Sequence, residues 1–192
     1  MSKVRQAGRA AARADRKATH RAAAKRDHLA VRTLGTLSEA ADQPPLRALT
    51  LATAAAGVVL RRPRLVHAGL TMLASHTLAT SIKSRIKHMV DRTRPETALA
   101  TGRHRFARGH SHDSQLSSFP SGHTAGAIAV SAALARDFPK AALPAYAATA
   151  AVAAIQLPRG KHYLSDVLAG AAIGAVAAWA TAKGETWLRP RA

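Results

Sequence analysis

The sequence has no cysteine, which excludes disulfide staples and thiolate metal centres and leaves the redox compartment unread. Acidic residues are scarce, 10 against 29 lysines and arginines, so the formal net charge is +19. A chain this basic needs an anionic partner or surface. Nucleic acid, acidic lipid headgroups and phosphorylated substrates all qualify, and composition does not choose among them. Aromatics amount to 4%, and most of the 47% hydrophobic fraction is alanine, which favours helix and lets helices approach closely. No strand pattern and no internal repeat stands out. The first 33 residues lack the apolar run of a secretory signal and are nearly free of the serine expected of a transit peptide.

What is present is a polar front end on an apolar body, in a length that fits one domain. Residues 1–33 carry ten lysines and arginines (Lys3, Arg5, Arg9, Arg13, Arg16, Lys17, Arg21, Lys25, Arg26 and Arg32) against Asp15 and Asp27. Two readings stand: a solvated helix, or an arm that lies on anionic lipid. A linker over 34–45 ends in Pro44-Pro45. Five apolar segments follow: 46–60, 65–82, 124–135, 141–157 and 167–182, with a basic turn at Arg61–Arg64 and a polar loop over 83–123. Some are shorter than the ~20 residues of a lone spanning helix, although terminal lysines and arginines can snorkel. The pattern predicts an all-α integral membrane bundle of five to six apolar helices, organised as a basic arm (1–45), a helical domain (46–186) and a polar tail (187–192).

Three short motifs carry chemistry. In Lys87-His88-Met89-Val90-Asp91-Arg92-Thr93-Arg94-Pro95, Lys87 and Arg94 are seven apart and would share a helical face, with Pro95 placing Arg94 near a helix end. Two converging cations make an anion site, and a solvated basic flank is the plainer reading. Phe119-Pro120-Ser121-Gly122-His123 precedes an apolar helix. Ser121 is a candidate N-cap there, Gly122 permits close backbone approach to an anion, and His123 adds a proton donor. Arg159-Gly160-Lys161-His162-Tyr163-Leu164-Ser165-Asp166 also precedes an apolar helix. His162 and Asp166, four apart, would meet on one turn, where a carboxylate fixes the imidazole tautomer and frees the other nitrogen to attack. The plainer reading, Asp166 supporting a helix N-terminus, leaves His162 unexplained.

Taken together and in this order, the motifs resemble the type-2 phosphatidic acid phosphatase family, which shares its core with vanadium haloperoxidases. That family carries Lys-x6-Arg-Pro, Pro-Ser-Gly-His and Ser-Arg-x5-His-x3-Asp, matched here from Lys87 to Asp166. The resemblance implies that Lys87, Arg94, Ser121 and Gly122 hold the phosphoryl oxygens. It implies that His162 attacks phosphorus to give a phosphohistidine, Asp166 orients it, and His123 protonates the leaving group. No metal or other cofactor is called for. One departure concerns the family arginine six residues before the nucleophile, which falls at Gln156, preceded by Ile155 instead of serine. Arg159 is expected to supply the lost charge. A second is helix number: the family commonly has three helices before the first motif, and two are evident here. Either residues 14–41 act as the missing helix on the surface, or the chain is a shortened version.

The implied substrate is a lipid phosphomonoester or pyrophosphate (phosphatidic acid, phosphatidylglycerol phosphate or a polyprenyl diphosphate), with membrane lipids as surroundings and no nucleic acid. The expected location is the inner membrane, multi-pass, with the site on the extracytoplasmic side because the short basic turn Arg61–Arg64 should face the cytoplasm. The rival readings are a vanadate-dependent haloperoxidase and a non-catalytic basic binding protein. His104, His110, His112 and Asp113 read as a polar loop and not a metal site. His67 and His76 read as packed polar residues, and Trp179 and Trp187 as interfacial anchors.

Overall fold

The structure, a computed structural model, describes residues 3–188, apart from the side chains of Val4, Trp187 and Leu188. The tail and the Trp187 anchor therefore fall outside the described part. The arm forms two helices, α1 (Lys3–Ala23) and α2 (Leu29–Ser38), followed by a 3-10 turn at Glu39–Ala41. The body consists of α3 (Gln43–Val59), α4 (Pro63–Lys87), a short α5 (Pro95–Thr101), α6 (Gly122–Asp137), α7 (Ala142–Ile155) and α8 (Leu164–Leu188). Prolines in the first turns of α3, α4 and α5 sit where a missing N–H costs nothing. Ser121 caps α6, accepting from the Thr124 N–H. Gly102, at φ +69°, stops α5 in the left-handed conformation.

The five apolar segments all become helices, and the polar loop expected over 83–123 is corrected. α4 runs on to Lys87, α5 occupies 95–101, and two short strands, β1 (Val90–Arg92) and β2 (Phe106–Arg108), pair antiparallel with Asp91 opposite Ala107. Three residues per strand are too few for sequence periodicity to register. The expectation that Lys87 and Arg94 share a helix face is corrected as well, since the helix ends at Lys87 and β1 intervenes.

The centre of the body is α4, α6 and α8 packed on one another, with α3 against α4 and α7 against α6. Small side chains line these contacts: Ala68, Ala79, Ala125, Ala129, Ala133 and Ala177 are all essentially buried. Close approach gives the helices dispersion contact without bulky side chains. A Cβ added at Gly69 would lie 2.4 Å from the Ala54 nitrogen, and one at Gly174 would lie 2.4 Å from the Ala125 carbonyl oxygen. Helix polarity follows from the connections. The end of α4 and the starts of α6 and α8 lie together, and the other end is closed by His67–Asp137 (2.8 Å) and Arg136–Glu185 (2.8 Å) ion pairs. His76, fully buried in α4, is a packed polar residue as expected.

Among the described residues one helix, over Leu164–Thr186, is long and apolar enough to cross a membrane. α4 is as long but carries Arg64, Lys83, Arg85 and Lys87, and α3, α6 and α7 are 14 to 17 residues each. The expectation of five to six such helices is reduced accordingly. Large apolar side chains nevertheless face outward on α3, α4, α7 and α8, among them Leu49, Leu70, Leu143, Leu168, Val176 and Trp179.

Replacing Gly174 by valine should lower the thermal unfolding midpoint in detergent, reflecting about 1–3 kcal/mol of overpacking between α6 and α8. An unchanged midpoint would mean that this contact is looser than its geometry indicates.

Candidate active site

The last turn of α4 places Lys83 and Lys87 four residues apart, on one face. Arg94 follows β1 as the N-cap residue of α5, in extended conformation before Pro95, so the effect of proline on its neighbour holds. Ser117 draws the two motif cations together. Lys87 Nζ donates to its carbonyl at 2.8 Å, and Arg94 donates to its hydroxyl at 3.3 Å. The cations thus converge through a loop residue and not through a shared helix.

A cavity of about 260 Å³ opens beside them. Lys83, Lys87, Arg94, Arg159 and Lys161 supply its positive charge, Gly122, His123 and His162 come from the two histidine motifs, and Glu39, Asp42, Gln43 and Gln156 complete the wall. Gly122 and His123 begin α6, so the positive end of that helix adds to the field. A Cβ at Gly122 would lie 3.6 Å from the Lys83 side chain, in ordinary contact, so the glycine keeps cavity space open and relieves no strain. Ser121 is different: it is fully buried, its hydroxyl bonds Thr124 Oγ1 at 3.0 Å, and it is not among the residues lining the cavity.

His162 is 4% exposed. Its Nδ1 lies 2.6 Å from the Ser118 carbonyl, which can only accept, so Nδ1 carries the proton and Nε2 keeps the available lone pair. Asp166 Oδ2 is 3.8 Å from that same Nδ1, beyond hydrogen-bonding distance. The expectation that Asp166 itself takes the imidazole proton is therefore modified. Asp166 holds the frame around the histidine by accepting from the Ser118 hydroxyl (2.5 Å), from the Tyr163 N–H (2.8 Å) and from Arg92. Burial pushes the His162 imidazolium below its ordinary pKa, with Lys87 and Arg94 adding to the shift and Asp166 opposing it. A neutral imidazole is the form that can attack.

The position of the missing family arginine is filled by a buried glutamine. Gln156 Nε2 donates to the Val152 carbonyl at 3.0 Å and reaches the Ser38 hydroxyl at 3.4 Å. Arg159 lines the same cavity but is already engaged, donating to Ser38 Oγ at 2.8 Å and pairing with Glu39. His123 Nε2 lies 3.4 Å from the other Glu39 oxygen. Burial alone would raise the Glu39 carboxyl, but Arg159 and His123 outweigh it and hold it below its usual value. Lys161 pairs with Glu96 at 2.8 and 3.0 Å.

Among the described residues the group with metal-ligand spacing is Glu39, Asp42 and His123, not the loop histidines. Arg159 already neutralises Glu39, and the surrounding cations oppose a metal there. In the loop, Asp113 caps a 3-10 turn and His112 packs against His88. Sequence reasoning missed Lys83, Arg92 and Glu39. Lys83 was legible as the residue four before Lys87, and Arg92 lay inside the first motif, but Glu39 gave no local signal.

The arrangement gathers five cationic side chains and the start of α6 around a tautomer-fixed histidine at one end of a helical bundle. The chain belongs to the PAP2 superfamily, whose family model matches residues 64–189. It is similar in structure to "the first transmembrane PAP2 type phosphatidylglycerolphosphate phosphatase" from Bacillus subtilis: TM-score 0.70, 19% identity, covering 95% of this chain and 90% of that one. It is also similar to Aquifex aeolicus LpxE, with TM-score 0.59, 18% identity, and 87% and 93% covered. No curated protein matches it in a sequence search.

Burial first, then the nearby charges of Lys83 and Arg94, lower the Lys87 ammonium to about 8. Lys87 is thus charged below that pH and neutral above it. Binding of tungstate, an anion that does not titrate between pH 7 and 9.5, should weaken as pH rises through about 8. The dependence should flatten in Lys87→Arg. Calorimetric titration across this range checks it, and equal pH dependence in both proteins would remove Lys87 from the anion site.

Proposed function

We propose that this protein is a membrane phosphatase that hydrolyses the phosphomonoester or pyrophosphate group of a lipid through a phosphohistidine on His162. The observation that carries the reading is the pairing of a buried, neutral His162, its Nδ1 fixed on Ser118, with a cavity lined by five cationic side chains. Lys87, Arg94 and Arg159, with Lys83 beside them, hold the phosphoryl oxygens together with the N–H groups that begin α6. Gly122 leaves room for them, and Ser121 acts through the cap that presents that helix end. His162 Nε2 attacks phosphorus, and the bond from phosphorus to the leaving oxygen breaks as His123 donates a proton to that oxygen. Water then attacks the phosphohistidine, and phosphate leaves as His162 regains its lone pair. Charge stabilisation by fixed donors provides most of the rate in such transfers. Glu39 Oε2, 3.4 Å from His123 Nε2, holds that ring at the cavity wall.

A lipid is favoured over a soluble phosphate by a second feature. An apolar groove of about 470 Å³, lined by Leu34, Leu37, Ala148, Ala151, Val152 and Ile155, includes Ser38, to which Arg159 of the cavity wall donates at 2.8 Å. A headgroup on Arg159 would leave its tail beside that groove. The outward-facing leucines of α3, α7 and α8 suit a bilayer better than water. Neighbouring helices and snorkelling end residues would let the shorter helices serve in it. We place the cavity on the extracytoplasmic face, opposite Arg61–Arg64. Because α1 docks at the cavity end, the arm lies on the same face as the site. A cysteine introduced at exposed Gly102, in a chain that has no other, should react with an impermeant maleimide in intact cells. Protection from it would put cavity and arm in the cytoplasm.

The deciding measurement is phosphate release from a panel of lipid phosphates by detergent-purified protein. His162→Ala should abolish turnover. Arg159→Ala should lower kcat/KM by about 100-fold, the scale of one lost charge-assisted donor in a transition state, whereas Arg13→Ala, on an exposed arm position, should leave it unchanged. Full activity in His162→Ala would refute the nucleophile, and equal small effects of the two arginine variants would remove Arg159 from the clamp.

A further inference from the structure

The match to the superfamily begins at residue 64, yet α1, far upstream of it, reaches residues that flank His162 and Asp166. Within Lys3–Ala23 the single acidic residue is Asp15, and Thr19 follows four residues later on the same face. Both side chains land on the first turn of α8. Thr19 Oγ1 accepts from the Leu164 N–H at 3.4 Å, and Asp15 accepts from the Ser165 N–H at 3.2 Å and from the Ser165 hydroxyl. These are N–H groups that the helix cannot satisfy internally. The start of α8 is thus capped by residues some 150 positions away in sequence.

Asp15 also pairs with Arg92 at 3.0 Å. Arg92 is 8% exposed and lies between two rings, 4.2 Å from the Tyr163 centroid and 4.8 Å from that of Phe106. Its Nη1 serves Asp166 and Ser165, and its Nη2 serves Asp15. A buried guanidinium is stable only when its charge is met and its donors are used. With Asp15 present, Asp166 has to satisfy one nitrogen and can keep Oδ2 for Ser118 and Tyr163. Without it, Arg92 would have Asp166 as its one carboxylate and would draw both oxygens into a bidentate pair. That would release the Ser118 hydroxyl, and the carbonyl of the same residue fixes His162.

We infer that Asp15 is a positioning residue for the reaction: α1 caps α8 and shares the charge of Arg92, and so keeps Asp166 and Ser118 where they hold His162. This rests on the role proposed above for His162. It makes the arm part of the active-site frame, in addition to whatever its exposed basic face does at a lipid surface.

The test is Asp15→Asn, which keeps the shape and removes the charge, in the full-length protein and the same phosphate-release assay. Per folded molecule, kcat should fall about 10- to 100-fold, the scale of a small misplacement of reacting groups, while KM and tungstate affinity stay as in wild type; the unfolding midpoint should fall, because Arg92 keeps one carboxylate instead of two. Thr19→Val removes one cap bond and no charge; it should lower kcat in the same direction and serves alone if Asp15→Asn does not accumulate as folded protein. Wild-type kcat in both variants would overturn the inference, as would activity lost only in proportion to folded protein. His162→Ala, run alongside, separates the two readings: if it is inactive while Asp15→Asn is fully active, the nucleophile stands and the role of the arm does not.

Discussion

A single buried carboxylate organises the catalytic end of the molecule. Asp166 has no exposed surface, and four groups reach it from different parts of the chain: Arg92 from the hairpin, the Ser118 hydroxyl from the loop before α6, the Tyr163 N–H from the approach to α8, and the Ser121 N–H, which donates to the Asp166 carbonyl at 3.0 Å. An unpaired carboxylate at this depth would cost several kcal/mol, so the three donors to its oxygens stabilise this end of the bundle. The same contacts place Ser118, and with it His162.

The second constraint is repulsion. Lys83, Lys87, Arg94, Arg159 and Lys161 lie around one small cavity, and a bundle of small side chains has little hydrophobic surplus to hold them together. The chain has ten acidic residues, and their placement answers this. Asp15, Asp91 and Asp166 anchor the Arg92 hairpin region, Glu96 neutralises Lys161, and Glu39 and Asp42 face the cavity. Asp137 and Glu185 close the far end. Scarce negative charge is thus concentrated where positive charge is densest. What remains uncompensated in the cavity attracts an anion.

The apolar segments were readable because alanine-rich runs bounded by proline and charge have few alternatives to helix. The histidines and the cations of the three motifs were readable because their spacing converges on one chemistry. The hairpin was not readable, since three-residue strands show no alternation. The role of Arg92 was hidden for a different reason: its value depends on two rings and two carboxylates that come from three separate segments. The arm misled by composition, because ten basic residues draw attention to lipid while the informative feature was the lone Asp15 with Thr19 one turn later. Gln156 was visible as a departure, but only packing shows that both it and Arg159 turn to Ser38.

The docking of α1 on the start of α8 also fixes an order of assembly. Asp15 leaves the ribosome well before Leu164 and Ser165, the groups that α1 caps, which are made some 150 residues later. Pairing across that separation comes late, after the loops between have closed. α3, α4 and α6 can settle while the arm is still unseated, with Arg92 lacking both Asp15 and Asp166 and with His162 not yet synthesised. The frame around Asp166 is completed only when α1 meets the start of α8, so the two ends of the described fold close on one another last.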